Sequence, residues 1–255
     1  MKSDVLRIAL IVFLILFFSC FERMAPAHVS QSWSGKIRNV GYITIFLLFG
    51  SLASHLLSPV FQYVHPRMLV ISGWYILLVV LLSLMLADFF FYWYHRAEHY
   101  FGWLWLIHEL HHSDTELNVT TSMRTYWLES PLQALIISLP VQLLIGVNTQ
   151  VQWIFLCVAT SWLYFAHANI RLPLGPLTPF ICGPQLHRIH HSIEPRHHHK
   201  NFAQFFPVFD ILFGTYYAPV RDEFPGTGTK GLPTDASYLS VLVRPFRCWF
   251  KGGKC

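Results

Sequence analysis

The sequence predicts an all-α membrane protein with about four to five transmembrane or hairpin helices. Hydrophobic residues make up 54% of the 255 residues and charged residues only 12%, against roughly 25% charged in soluble domains. The apolar residues gather into runs of about 15 to 20, the lengths of helices that enter or cross a bilayer. Histidines at helical spacing follow these runs. The composition excludes a soluble globular protein, and it excludes a disordered chain, which would be poor in apolar residues and rich in charge.

Three apolar runs predict membrane-spanning helices: residues 5–21, 40–61 and 69–91. Each is near the roughly 20 residues that cross a hydrocarbon core. A cleaved signal peptide is the alternative for the first run, but its apolar core is long and the residues around Cys20 fit a cleavage site poorly. A tight turn is predicted between the second and third runs, at residues 62–68.

Two shorter apolar runs, residues 131–145 and 151–165, predict a helical hairpin around a Gly-Val-Asn turn. Each run has about 15 residues, which is short for an independent span. We therefore expect the hairpin to pack against the first three helices and to reach only part of the way through the bilayer.

The placement of lysine and arginine gives an orientation. Many basic residues lie beyond the third span and outside the hairpin, among them Arg96, Arg124, Arg171, Arg188, Arg196 and Lys200. If the spans alternate, Arg23, Lys36 and Arg38 share their side, and the positive-inside rule puts that side in the cytoplasm. Lys2 and Arg7 then face outward, against the rule. Every histidine cluster falls on the cytoplasmic side in this arrangement.

Nine of the 15 histidines have the spacing of metal ligands: a pair one helical turn apart, two copies of His-x-x-His-His, and one histidine between the copies. In chain order they are His95, His99, His108, His111, His112, His167, His187, His190 and His191. One tetrahedral zinc takes four ligands, or three and a water, so nine imidazoles imply two metal ions. Imidazole binds Zn, Cu, Fe and Ni alike, so the ligand type does not choose the element.

The remaining histidines are weaker candidates. His28, His55 and His65 stand alone, and a single histidine on an apolar helix is more often a hydrogen-bonded residue than a ligand. The run His197–His199 lies in a predicted loop, where three successive residues cannot all face one metal.

The chain contains, in order, DFFFYWYHRAEH, WLIHELHHSDTELNVTTSMR, FAHANI, HRIHHS and NFAQFFPVFDILFGTYYAP. This succession resembles the fatty acid hydroxylase superfamily, also called the sterol desaturase family. The resemblance covers about residues 84–220 and includes the family's histidine boxes in their usual order. Departures are modest: Phe209 stands where the family usually has tryptophan, and Ala203 where glycine is common.

The resemblance implies an integral membrane oxygenase with a transmembrane helical core and a cytosolic, histidine-rich helical cap. Its cofactors would be two iron ions, with O2 as co-substrate. The nine histidines match the family's ligand positions, and His197 matches a further histidine that often follows the last box. The chain would be a single domain, residues 1–255, with N-terminal helices and loops at 1–68, a catalytic region at 69–220 and a C-terminal tail at 221–255.

Ligating histidines usually donate their second N–H to a carboxylate or carbonyl. Acidic residues near the boxes are candidates for this role: Asp88, Glu98, Glu109 and Asp114. Asp88 lies two helical turns before His95 in an apolar helix, and polar groups inside a membrane tend to be functional, so we assign it a catalytic role. Glu109 is expected to point away from the histidines and to be solvated or ion-paired. Polar positions of the family's loops are matched by Asn118, Arg124, Glu129, Asn169 and Asn201, of which Asn169 is the second catalytic candidate.

The implied reaction is the O2-dependent hydroxylation of a lipid C–H bond, or its desaturation, because no amino-acid side chain oxidises an unactivated carbon. Ether-lipid cleavage, sterol oxidation and carotenoid hydroxylation are open alternatives. The sequence has no flavin, nicotinamide or haem motif such as Gly-x-Gly-x-x-Gly. We therefore expect an external electron donor, a ferredoxin or a b-type cytochrome, and no nucleic-acid partner. A bacterial inner membrane is favoured over the endoplasmic reticulum.

Two other classes use clustered histidines. A membrane hydrolase with two zinc ions would keep an open coordination site for hydroxide, but bridged zinc pairs usually include carboxylates. A metal transporter or sensor would place ligands along a path through the membrane, whereas only His55 lies in the middle of a predicted span.

Overall fold

Three long helices form the membrane-spanning part of the computed structural model, which describes residues 2–29, 31–63 and 71–251. They are α1 (Lys2–Met24), α2 (Trp33–Tyr63) and α3 (Tyr75–Tyr100). All three are long and apolar enough to cross a membrane. The part of the chain that the structure describes contains no β-strand, so the predicted all-α membrane fold is confirmed.

The boundaries of these helices differ from the predicted runs. The second helix begins at Trp33, seven residues before the apolar run. Helix formation is cooperative, so the helix also includes the polar residues that precede the run. The third begins only at Tyr75, because Gly73 has a φ of +65°, a backbone conformation that cannot be part of a right-handed helix. The predicted turn at residues 62–68 lies largely outside the described residues.

The predicted hairpin is longer than its apolar runs. Its first arm comprises α5 (Glu129–Gln133), a π-helical turn (Ala134–Ser138) and α6 (Leu139–Leu144), and its second arm is α7 (Thr149–His167). Pro140 lacks the N–H that would continue the helical ladder, and such defects are relieved by widened turns. The Asn148 side chain begins α7 by accepting from the Val151 N–H at 3.1 Å, and its Nδ2 donates to the Ile71 carbonyl. The tip of the hairpin therefore lies beside the residues that precede α3, and the hairpin packs against all three long helices, as predicted.

Short helices and loops form a cap over one end of this bundle. They include α4 (Gly102–His112), α8 (Pro184–His190), α9 (Val208–Leu212) and α10 (Tyr238–Phe250). Residues 221–251, expected as a tail, belong to the cap: α10 packs on α4, and Trp249 Nε1 donates to the Trp103 carbonyl. Arg244 of α10 forms an ion pair with Glu109, which is 3% exposed.

Two buried polar residues connect the spans to the cap. Glu22, at the end of α1, accepts from the backbone N–H groups of Val119 (2.6 Å) and Asn169 (2.9 Å). Arg124, which is 1% exposed, donates from Nη1 to Asn39 of α2 and from Nη2 to Ser113 beside α4. Charged groups this buried keep their place only when their hydrogen bonds are satisfied, so both contacts fix the spans to the loops that hold the histidines.

Candidate metal centre

The nine histidines of the boxes come from four helices and meet at the inner face of the cap. The end of α3 contributes two, α4 contributes three, the end of α7 contributes one, and α8 with the residue after it contributes three. They form two groups, in each of which one ring nitrogen per residue lies within 4.8 Å of the others. The five-histidine group is His95, His99, His108, His112 and His190, and the four-histidine group is His111, His167, His187 and His191.

Helical geometry explains why each His-x-x-His-His box divides between the groups. His108 and His112 are four residues apart and share one group, while His111 turns toward the other. In the second box, His187 and His191 join the four-histidine group, while His190 joins the five-histidine group. The two groups touch, because the rings of His112 and His191 stack at 4.3 Å.

The Nε2 atoms of the five-histidine group converge. His95 and His108 approach to 3.0 Å between their Nε2 atoms, and Nε2 of His112 lies 3.1 Å from that of His99, His108 and His190. A neutral imidazole has only one N–H to donate, so His112 cannot satisfy three such contacts by hydrogen bonding. The arrangement fits ligand nitrogens around a cation.

The four-histidine group converges in the same way. Nε2 of His167 lies 3.0 Å from that of His111 and 2.9 Å from that of His187, which is 3.1 Å from Nε2 of His191. This group contains only imidazoles among the described histidine, cysteine and acidic side chains, and imidazole suits Zn, Cu, Fe and Ni.

Where Nδ1, the ring nitrogen that points away from the centre of the group, makes a hydrogen bond, that bond shows whether Nε2 is free to bind a metal. Nδ1 of His95 donates to the Phe202 carbonyl, and Nδ1 of His190 to the Lys200 carbonyl, both at 2.8 Å. Nδ1 of His167 donates to a carbonyl of its own helix. A carbonyl can only accept, so these Nδ1 atoms carry the proton and leave the Nε2 lone pair for a metal.

His108 has carboxylates in place of a carbonyl. Its Nδ1 lies 3.4 Å from Oε1 of Glu129 and 3.5 Å from Oε2 of Glu98, and both acids are 1% exposed. Gln133 donates to the other Glu129 oxygen at 3.2 Å. The Glu98 oxygens make no hydrogen bond within the described residues, and neither do the Nδ1 atoms of three members of the four-histidine group: His111, His187 and His191. The five-histidine group is therefore the better supported of the two.

Burial keeps most of these imidazoles neutral. It lowers the pKa of His190 to about 3, and neighbouring imidazoles act in the same direction. Burial and nearby imidazoles also lower the pKa well below the usual range at His111, His112, His187 and His191. Burial lowers the pKa of His108 too, but the Glu98 and Glu129 carboxylates outweigh it and raise that pKa above its ordinary value. Neutral imidazole is the form that binds a metal.

Asp88 lies outside both groups and binds a loop. Its carboxylate accepts from the backbone N–H groups of Gln204 (2.7 Å), Phe205 (3.1 Å) and Phe206 (2.7 Å). Asp210 accepts from the two preceding N–H groups of the same loop. Together the two aspartates hold the segment whose Phe202 carbonyl supports His95. The resemblance to the family includes this segment, but the support that the Phe202 carbonyl gives His95 leaves no trace in residue type.

Asn169 and His197 also bind protein groups. The Asn169 side chain accepts from Arg188 Nη2 (2.8 Å) and from the His28 N–H, and it donates to the His28 carbonyl. His197 is fully buried, with Nδ1 at 2.8 Å from the Ser192 hydroxyl and Nε2 at 3.1 Å from Glu223. Both ring nitrogens of His197 are thus engaged, and it belongs to neither histidine group.

A cavity of about 600 Å³ reaches the five-histidine group from the surface. Its buried inner wall includes His112 and His190, and Trp105 lies beside them. The loop containing Gly228 and Lys230 also lines the cavity. The volume is within the range of roughly 300 to 1,000 Å³ found for small-molecule sites, so the cavity can bring a reactant to the histidines.

Comparison with known proteins agrees with this geometry. Residues 80–215 match the family described as fatty acid hydroxylase. The chain is 30% identical over 152 residues to an ornithine lipid hydroxylase of Rhizobium tropici, covering 60% of this chain and 45% of that protein. It is also 30% identical to alkylglycerol monooxygenases, over 51% of this chain and 28% of the Danio rerio protein, and over 49% and 27% for the Homo sapiens protein. This chain therefore spans less than half the length of these relatives. No solved structure matches it.

Proposed function

The chain belongs to the fatty acid hydroxylase family, and we propose that it is a membrane monooxygenase that uses two iron ions and O2 to hydroxylate a lipid C–H bond. The observation that carries this proposal is the pair of adjacent, buried, all-histidine groups. A zinc hydrolase is less well supported, because bridged zinc pairs usually include carboxylate ligands. Here the nearby carboxylates of Glu98 and Glu129 face Nδ1 of His108, and both groups of converging ligand atoms consist of imidazole nitrogens alone. A transporter is also less well supported, since the candidate ligands among the described residues cluster at one end of the bundle and His55 is exposed and alone.

The nine histidines of the two groups are the proposed metal ligands. Bound there, two irons would supply the activation of O2 that an unactivated C–H bond requires. The protein's own contribution is to present nine converging ring nitrogens, to hold several of the rings with carbonyl and carboxylate acceptors, and to bury eight of the nine side chains, while His99 is partly exposed at the cavity. We propose that Asp88 and Asn169 act as positioning residues, through the loops they bind, and that His197 fastens the turn after α8.

The overall reaction consumes RH, O2, two electrons and two protons, and it yields ROH and water. The names of the relatives support a lipid as RH, with hydroxylation ahead of desaturation and ether cleavage as the nearest variant. The electrons would come from a ferredoxin or a b-type cytochrome. The relative from Rhizobium supports a bacterial inner membrane, and the basic residues around the cap support a site that faces the cytoplasm.

Isotope labelling tests the proposal. The purified protein, loaded with ferrous iron and given a reductant, is incubated under 18O2 with a membrane lipid extract, and products are analysed by mass spectrometry. We expect a lipid product with one 18O atom that is absent under 18O-water with ordinary O2. Labelling from water, or two zinc ions per chain that iron does not replace, would support the hydrolase instead.

Replacing Glu129 with glutamine is expected to weaken iron binding about tenfold or more, the usual cost of losing a partner of a ligating histidine. The amide can turn its own N–H toward Nδ1 of His108, which leaves that ring without a charged acceptor. The measurement is iron retained per chain at limiting iron, with circular dichroism as the check on folding.

Glu194→Gln is the matched control, because Glu194 is partly exposed and pairs only with Arg196 among the described residues. Excess iron should restore turnover in Glu129→Gln if the residue acts through His108. Unchanged iron affinity in Glu129→Gln, relative to the control, would contradict this role.

A further inference from the structure

The cavity at the five-histidine group has two unlike edges at its mouth. On one side lie Tyr100, which is 78% exposed, and Gly102, at the junction between α3 and α4. The neighbouring aromatic residues Phe101 and Trp103 are also exposed, at 47% and 57%. Exposed aromatic residues at the end of a membrane-spanning helix are typical of the bilayer interface, so this edge has the composition of a lipid-facing surface.

The other edge is basic. Lys230, His198 and His199 are exposed and line the cavity. Lys230 has no hydrogen bond or ion pair within the part of the chain that the structure describes. The carboxylate that also lines the cavity, Glu109, is already paired with Arg244. The lysine is thus an available positive charge at the mouth.

The loop that carries His198 and His199 is held in one conformation. His199 and Asn201 both have φ of +58°, a left-handed conformation that costs non-glycine residues free energy and persists only where surrounding contacts enforce it. Those contacts are present: the Asn201 side chain accepts from the Tyr217 N–H (2.9 Å) and donates to its carbonyl. The Lys200 carbonyl between them supports His190 of the five-histidine group. The same strained loop therefore fixes a metal ligand and places two imidazoles at the cavity mouth.

We propose that this mouth is a headgroup site, in which Lys230, with His198 and His199 as hydrogen-bond donors, binds the anionic group of a lipid whose chain leaves past Tyr100 and Gly102. The proposal rests on the proposed function and specifies its substrate class. A lysine is a point-charge binder of phosphate and carboxylate, and the aromatic edge suits the apolar chain. An amphiphile that spans both edges places a carbon near its head against the inner wall, where His99, His112 and His190 lie.

Competitive lipid binding tests the site without any turnover. The full chain in mixed micelles with equal phosphatidylglycerol and phosphatidylcholine is analysed by native mass spectrometry for bound lipid. We expect the wild type to retain the anionic lipid preferentially, Lys230→Gln to reduce this preference by about two- to fivefold, the range for an exposed ion pair, and Lys230→Arg to keep it. Lys251→Gln is the matched control, because it removes the same charge from the exposed end of α10, outside the cavity.

Equal retention of both lipids by the wild type, or equal effects of Lys230→Gln and Lys251→Gln, would overturn the headgroup site. Displacement of phosphatidylglycerol by glycerol phosphate at the same concentration would also overturn it, because the site would then bind a soluble phosphate compound. Failure of the proposed oxygenase is distinguishable, since it would abolish 18O incorporation while leaving the lipid preference intact. Conversely, a wild type that hydroxylates lipids without headgroup preference would retain the function and lose this inference.

Discussion

Replacing His112 with alanine is expected to reduce bound iron from two per chain to one or less and to lower turnover by at least about a hundredfold, more than the loss of an outer-shell partner costs. Nε2 of His112 lies 3.1 Å from three other Nε2 atoms of the five-histidine group, so its removal opens the centre of that group. His191→Ala should have the same effect on the four-histidine group. The measurement is elemental analysis of detergent-purified protein, with turnover under saturating iron.

Two control variants make this result specific. His55→Ala removes an exposed, isolated histidine from α2 and should keep two irons and full turnover. His197→Gln tests the tenth candidate: since both nitrogens of His197 already contact Ser192 and Glu223, we expect two irons to remain. One iron in His197→Gln with unchanged circular dichroism would instead make His197 a ligand, and two irons in His112→Ala would contradict the assignment of the five-histidine group.

Chelation should distinguish the two groups in the wild type. Three Nδ1 atoms of the four-histidine group have no acceptor within the described residues, while His95, His108 and His190 all have one. Outer-shell acceptors strengthen metal binding, so the first iron removed is expected to come from the four-histidine group. His191→Ala should then lose the fast phase of iron release, and His112→Ala the slow phase.

The sequence predicted the long helices, and it predicted that the nine box histidines would lie close together, because both depend on local spacing. A run of apolar residues indicates a span, and His-x-x-His-His places three imidazoles near one another whatever the rest of the fold does. Helical spacing explains why each box divides, but it does not determine which group each histidine joins. His111 and His190 each leave their box for the opposite group, and that outcome depends on how α4, α7 and α8 pack.

The supporting residues were only partly predictable, for a related reason. The position of Glu98, one residue before His99, indicates a supporting role from the sequence, whereas the carbonyls of Phe202 and Lys200 that support His95 and His190 carry no signature in residue type. The cavity mouth at Lys230 was missed for the same reason: it combines a loop near the C-terminus with the α3–α4 junction, far apart in sequence. Long-range contacts of this kind appear only in the folded chain.

Replacing Asp88 with alanine is expected to lower the free energy of unfolding by about 3 kcal/mol, because one buried and two partly buried backbone N–H groups would lose their acceptor and each orphaned donor costs about 1 to 3 kcal/mol. Asp88 is 1% exposed and accepts from residues 204, 205 and 206. Asp88→Asn keeps one carbonyl oxygen and should fall between the wild type and Asp88→Ala. The measurement is the midpoint of thermal unfolding in detergent.

Asp222→Ala is the matched control for this effect. The Asp222 side chain is 78% exposed and pairs with Arg171, which is itself half exposed, and exposed ion pairs contribute about 0 to 1 kcal/mol. A shift in Asp88→Ala no larger than that of Asp222→Ala would contradict the role assigned to the three hydrogen bonds.

Iron binding, stability and turnover of Asp88→Asn together distinguish a positioning residue from one that takes part in the reaction. Asp88 holds the loop whose Phe202 carbonyl orients His95, so its loss should weaken iron binding about tenfold along with stability, and excess iron should restore most of the turnover. A residue that handles a proton or touches the substrate would behave differently: its amide variant would bind two irons normally, unfold near the wild-type temperature and remain inactive at any iron concentration. The Asp88 carboxylate accepts hydrogen bonds from three consecutive backbone N–H groups and belongs to neither histidine group. We therefore expect weaker iron binding and lower stability, with turnover restored by excess iron.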